Sequence, residues 1–262
     1  MYALEWKKDL IYDAARADVC RLDLCLPAGA ARPPLYVHFH GGGLIEGTRD
    51  IGPELQWLAR VHGIAVASVE YRMYPDATYP DFIEDAARAV AWLLNGYGAK
   101  ALHRAVFIGG SSAGGYLTQM LFCNPAFLRA AGADPDALDG CLFNAGQPTT
   151  HYQVLSARGE DPRRVVIDEA APLYYVRESF AGRRCPALLI AAADHDMPNR
   201  MEQNLVLAAA LRHFDYPESK LEVRVMRDYG HTEYDAAVDA DGRYLFSDIL
   251  ADFMLRHAND PR

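Results

Sequence analysis

Apolar and polar positions repeat along this chain with two different periods, and the two periods take turns. Stretches 4–12 and 19–26 show the two-residue alternation of strands and together read as an antiparallel start. Short strand-like runs follow at 35–39, 64–69, 105–108, 141–144, 187–191 and 221–225, several of them almost wholly apolar. Between them lie segments with helical spacing, at 53–61, 81–94, 113–128, 202–214 and 244–256. Strands and helices that alternate in this way predict a mostly parallel central sheet with helices on both faces. The stretch 147–180 breaks the rhythm. It is long, mixed in charge and weakly periodic, and it is expected to form a small lid inserted above the sheet. No shift in composition and no internal repeat divides the chain, so residues 1–262 read as a single domain.

Three short segments carry candidate chemistry. Gly110-Ser111-Ser112-Ala113-Gly114 lies between an apolar strand and a helical run, the setting of a sharp strand-to-helix turn. Such a turn lifts the central hydroxyl, here Ser112, to the edge of the sheet beside a helix N-terminus, where developing negative charge is favoured. Ser111 is expected to face away from the tip. His40-Gly41-Gly42-Gly43 directly follows another strand. Its glycines let backbone amides approach a substrate, so Gly42 and Gly43, with the Ala113 amide, are the expected oxyanion donors. No Lys-Ser/Thr sequel supports a phosphate-binding loop. His40 itself is expected to brace that loop. His231, in Tyr229-Gly230-His231-Thr232-Glu233, follows the last strand, where a general base to Ser112 belongs. The acid that orients it comes from the loop Ala192-Ala193-Asp194-His195-Asp196-Met197-Pro198, in which two carboxylates compete, with Asp228 a weaker third candidate.

Charge and cysteines narrow the rest. The formal net charge is −9, and the densest basic clusters are only Arg163-Arg164 and Arg183-Arg184, which argues against nucleic acid or an anionic membrane as partner. No apolar stretch approaches a membrane span and residues 1–15 do not resemble a secretory leader, so a soluble, cytoplasmic protein is expected. The five cysteines have no metal-like spacing and are expected to be free thiols; Cys20 and Cys25 should point to opposite faces of one strand. No metal is expected.

These residues resemble a known family, the compact α/β-hydrolase-fold esterases of the HGGG class, close to the hormone-sensitive-lipase group and to bacterial feruloyl and acetyl-xylan esterases. The resemblance is carried by His40–Gly43, by Val69-Glu70-Tyr71-Arg72 with Pro75 and Pro80, by Gly110–Gly115, by Ala192–Pro198 and by Gly230-His231. It implies an α/β-hydrolase fold that cleaves a small carboxylic ester without a cofactor, through a Ser112–His231–acid triad and an acyl-enzyme. Many relatives carry a small residue, then Glu, one residue, then the acid. That frame implies Asp196, which is the expected acid, whereas a competing frame of Asp, two residues, an apolar residue and Pro would make it Asp194. Leu44 stands where many relatives have an aromatic residue, and only 39 residues precede His40. The acyl pocket is therefore expected to be shaped by Leu44, Ile45, the 147–180 insertion and the His231 loop, and to favour acetyl to butyryl esters. Two other functions remain open: an arylformamidase-type amidohydrolase using the same triad, and a non-catalytic binding module on the same fold.

Overall fold

The computed structural model describes residues 1–97, 102–177 and 179–258; Glu178 of the expected insertion, and residues 98–101 and 259–262 of the expected domain, lie outside them. Eight strands form one sheet: β1 (Leu4–Ile11), β2 (Arg21–Pro27), β3 (Leu35–Phe39), β4 (Ala65–Val69), β5 (Val106–Ser111), β6 (Gly140–Asn144), β7 (Ala187–Ala193) and β8 (Leu221–Met226). Their order is β1-β2-β4-β3-β5-β6-β7-β8. β1 pairs with β2, and β2 with β4, antiparallel; every later pairing is parallel. The chain has the α/β-hydrolase fold expected from its sequence.

Helices cover both faces, most of them burying one apolar side while Ala113–Cys123 is buried all round. α2 (Asp81–Ala91) and α3 (Ala113–Cys123) pack on one face with α4 (Ala126–Ala130) and α6 (Arg200–His213), while α1 (Pro53–Arg60) and α7 (Leu245–His257) cover the other. The two-residue period of the strands divides the core accordingly. Val37, Phe39 and Ile108 join the first face, and Tyr36 and Phe107 the second. Cys20 and Cys25 fall on opposite sides in the same way, and all five cysteines are unpaired.

Two boundaries differ from the sequence expectation. The helix expected over 113–128 stops at Cys123, because Asn124 precedes Pro125 and adopts φ −115°, ψ 82°. A short second helix, α4, follows the break. The stretch 147–180 holds one helix, α5 (Tyr152–Ala157), and a single helical turn at Pro172–Tyr175. It is fastened at several points: Tyr116 donates to the Ala170 carbonyl at 2.8 Å, and Thr150 and Arg158 both bond to Asp168. Among the described residues, no helix is long and apolar enough to cross a membrane.

Candidate active site

The C-terminal ends of the parallel strands deliver the predicted residues to one place. Ser112 ends the β5 turn with φ 54° and ψ −111°, a strained conformation for a residue with a side chain. The turn persists because the neighbouring backbone is packed hard against β3. A Cβ at Gly114 would lie 1.9 Å from the Phe39 carbonyl oxygen, so only glycine fits there. The Ser112 amide donates to the Asn144 carbonyl at 2.8 Å, which anchors the elbow to β6.

From Ser112 a continuous hydrogen-bonded line runs to a carboxylate. The Ser112 hydroxyl lies 2.8 Å from His231 Nε2, and His231 Nδ1 lies 2.6 Å from Asp196 Oδ1. In the neutral tautomer that this arrangement favours, Ser112 donates to Nε2 and Nδ1–H donates to Asp196. The same Asp196 oxygen accepts the Met197 amide at 2.7 Å, and its side chain is only 1% exposed. Asp194 is placed elsewhere. Its Oδ1 accepts the Asp228 amide at 2.8 Å, tying the loop after β7 to the loop after β8, and Asp228 contributes only backbone to that tie. The structure thus brings together Ser112, His231 and Asp196, and leaves Asp194 and Asp228 outside the line.

The glycine loop faces the same serine. Gly42 has φ 103°, and a Cβ there would sit 1.9 Å from the Glu46 carbonyl oxygen, so the tight turn depends on glycine. The amides of Gly42, Gly43 and Ala113 donate to no protein acceptor among the described residues and remain available to a ligand. His40 lies beneath them. Its ring stacks on Tyr71 with centroids 4.4 Å apart, Nδ1 reaches the Gly41 carbonyl at 2.8 Å and Nε2 reaches Glu70 at 3.1 Å.

A cavity of about 500 Å³ opens beside Ser112. Its walls depart from the sequence expectation. Leu44 is fully buried in the core, because its positive φ of 67° turns the side chain inward under the loop, while Ile45 stands at the cavity. Of the described residues of the 147–180 segment only Tyr152 borders the cavity; the remaining walls come from the loop after β3, the His231 loop as expected, the strand ends, α1 and α7. Four carboxylates line it (Glu46, Asp50, Glu54 and Asp235), with no lysine or arginine among the lining residues. His38 also borders it, and burial pushes its ring down to about 3, so that it is neutral.

Ser111 provides a second correction. β5 extends through Ser111, so strand alternation turns its side chain to the α1/α7 face and into the cavity wall, not away from the site. There it donates to Asp235 Oδ2 at 2.6 Å and accepts from Asn144 Nδ2 at 2.8 Å. Asn144 donates as well to Asp235 Oδ1 at 2.8 Å, and its side-chain Oδ1 accepts the Tyr234 hydroxyl. Burial pushes the Asp235 carboxyl up to about 6, against the lowering effect of these two donors. Sequence reading misses Asp235, Asn144 and also Arg200, a buried guanidinium that donates to the Ala145 carbonyl at 2.6 Å beside the Asp196 loop. Only the four-residue step from His231 to Asp235 offers a hint. Among the described residues no group of three or more His, Cys, Asp or Glu side chains is placed to hold a metal.

Comparison with known proteins agrees with this fold. A family profile described as the alpha/beta hydrolase fold matches residues 36–126, the segment from β3 to the start of α4. Human hormone-sensitive lipase is 28% identical over 187 residues, covering 68% of this chain and 15% of the lipase. The carboxylic ester hydrolase LipN of Mycobacterium tuberculosis is 37% identical over 98 residues, covering 36% of this chain and 26% of LipN. The chain therefore spans well under two thirds of either relative. Among solved structures, a truncated carbohydrate esterase from gut microbiota superposes with a TM-score of 0.78 at 16% identity, covering 99% of this chain and 98% of that one. This chain has the α/β-hydrolase fold, and part of it is similar in sequence to hormone-sensitive lipase and to LipN.

Proposed function

We propose that the protein is a serine hydrolase of short-chain carboxylic esters of a small or sugar alcohol. The observation that carries the reading is the line Ser112–His231–Asp196, with bonds of 2.8 and 2.6 Å at the edge of a cavity. In the proposed reaction His231 Nε2 takes the Ser112 proton as Oγ attacks the ester carbonyl. Negative charge gathers on the former carbonyl oxygen, where the amides of Gly42, Gly43 and Ala113 receive it, each worth roughly 3 kcal/mol of barrier. The C–O bond to the alcohol then breaks, and His231 returns its proton to the departing oxygen. Water, deprotonated by the same imidazole, attacks the acyl-Ser112; the acyl–Oγ bond breaks, His231 returns the proton to Ser112 Oγ and the acid is released. Asp196 holds the imidazole in the tautomer that accepts at Nε2 and balances its charge when protonated.

The short-chain preference rests on the cavity. Ser111, Asn144, Asp235 and His38 are among its lining residues, and a long alkyl chain laid against them would have to strip these polar groups of water. A cytoplasmic setting fits five unpaired thiols, since reducing compartments keep cysteines free. The test pairs a fluorophosphonate label with p-nitrophenyl esters from acetate to palmitate. Ser112→Ala should lose the label and at least ~10³-fold in turnover. Labelling that survives in Ser112→Ala, or efficient hydrolysis of the palmitate ester, would overturn the corresponding part of the proposal.

A further inference from the structure

We propose that Ser111, Asn144 and Asp235 form a latch that positions His231, closed when Asp235 is ionised and loosened when it is protonated. The inference deepens the esterase reading and rests on it. Three features of the site support it.

The first is connectivity. Asp235 lies four residues beyond His231 on the same loop, and its two oxygens reach different strand ends, Ser111 on β5 and Asn144 on β6, at 2.6 and 2.8 Å. Asn144 and Ser111 are themselves joined at 2.8 Å, so the three side chains close a ring. Tyr234, the preceding residue, donates to the same Asn144. The loop that carries the base is thereby fastened to the strand that carries the nucleophile. Sub-ångström placement of a base governs turnover far more than it governs binding.

The second is energetic. Asp235 is a part-buried carboxylate with no lysine or arginine at the cavity to balance it. An asparagine would keep much of the hydrogen bonding without the cost of burying charge. A buried, hydrogen-bonded carboxylate at the wall of a cleft is the setting in which functional groups are found.

The third is titration. The groups facing Asp235 are Ser111 from β5, Asn144 from β6, Tyr36 from β3, Glu54 from α1, and Tyr234 and His231 from its own loop; α7 contributes only Phe246, Ser247 and Leu250 to that wall. Burial and the Glu54 charge raise its titration to about 6, while Ser111, Asn144 and His231 oppose them. Bonds to an ionised acceptor are roughly twice as strong as neutral ones, so protonation weakens both ties together.

The experiment measures kcat and KM for p-nitrophenyl butyrate between pH 4.5 and 9 in wild type, Asp235→Asn, Ser111→Ala and Ser111→Thr. Folding is checked by circular dichroism and by fluorophosphonate labelling of Ser112. At pH 8 kcat should fall roughly 10- to 100-fold in Asp235→Asn and about 10-fold in Ser111→Ala, with KM within about threefold, as for an interaction that matters in the transition state. Ser111→Thr, which keeps the hydroxyl, should recover most of the loss. The acid limb should be steeper than one proton in wild type and fall to one proton in Asp235→Asn. In Ser111→Ala it should shift to higher pH, because the donor that lowers the Asp235 carboxyl is gone. Unchanged variants beside an active wild type would overturn the latch alone, as would a loss of kcat with an unaltered acid limb. A wild type that neither turns over esters nor takes the label would overturn both readings.

Discussion

Exchanging the carboxylate of Asp196 for a carboxamide is the sharpest perturbation of the proposed triad. Asp196 Oδ1 accepts two donors at once, His231 Nδ1–H at 2.6 Å and the Met197 amide at 2.7 Å, in a site where the side chain is 1% exposed. In Asp196→Asn the amide can turn its NH₂ toward His231. The ring then accepts at Nδ1 and carries its proton on Nε2, facing Ser112 with the wrong tautomer. The charge that balances the imidazolium is lost as well. Such a change costs about four decades in kcat, about 5.5 kcal/mol of barrier at about 1.4 kcal/mol per decade. Asp194→Asn is the matched control. Its carbonyl oxygen can still accept the Asp228 amide, so the loss should stay near about 1 kcal/mol of stability and within about fivefold in kcat. The assay is kcat for p-nitrophenyl butyrate at pH 8, with thermal melting followed in parallel. An Asp196→Asn enzyme within about tenfold of wild type, beside an inactive Asp194→Asn, would refute the assignment.

Two further outcomes follow from the geometry. Gly114→Ala places a methyl group where the Phe39 carbonyl stands 1.9 Å away, so the elbow must open; the variant should melt well below wild type and lose fluorophosphonate labelling. Asp235→Asn should change stability in a pH-dependent way. The carboxyl titrates near 6 when folded against 3.8 in the reference state, so the ionised form is disfavoured by folding. The Asp235 contribution to wild-type stability therefore declines as pH rises from 3.8 to about 6 and levels off above that. Relative to wild type, the asparagine variant should gain up to about 3 kcal/mol between pH 4 and pH 8 by linkage. Denaturant midpoints at the two pH values measure the difference, and a constant offset would refute it.

What is legible in the sequence is local. The elbow serine, the glycine loop and the histidine each sit in a pattern a few residues long, because their chemistry demands particular neighbours in the chain. The order of strands and helices is legible for a similar reason, since burial on one face or two imprints a period. The less accessible features depend on long-range closure. Asp235 meets Ser111 across 124 positions and Asn144 across 91, and neither meeting leaves a local signature. Leu44 is apolar whether it faces the pocket or the core, and only its backbone conformation settles which. Ser111 escapes sequence reasoning because the apolar run ends at 108, whereas β5 runs three residues further and sets the direction of its side chain. The frame of the loop favours Asp196 over Asp194, and the physical difference between the two is seen only in three dimensions. Residues two apart on an extended loop point the same way, and only their reach tells them apart.

The carboxylates that line the cavity bear on the end of the proposed reaction cycle more than on its start. An ester enters without charge and is indifferent to Glu46, Asp50, Glu54 and Asp235. Hydrolysis turns its acyl half into an anion beside these four carboxylates, with no lysine or arginine among the described lining residues to offset them. Like charges then drive the product outward while the neutral alcohol is unaffected, and bulk anions of the same kind are kept from returning. Turnover in such a site is shielded from accumulation of its own acid, a protection that added salt would erode.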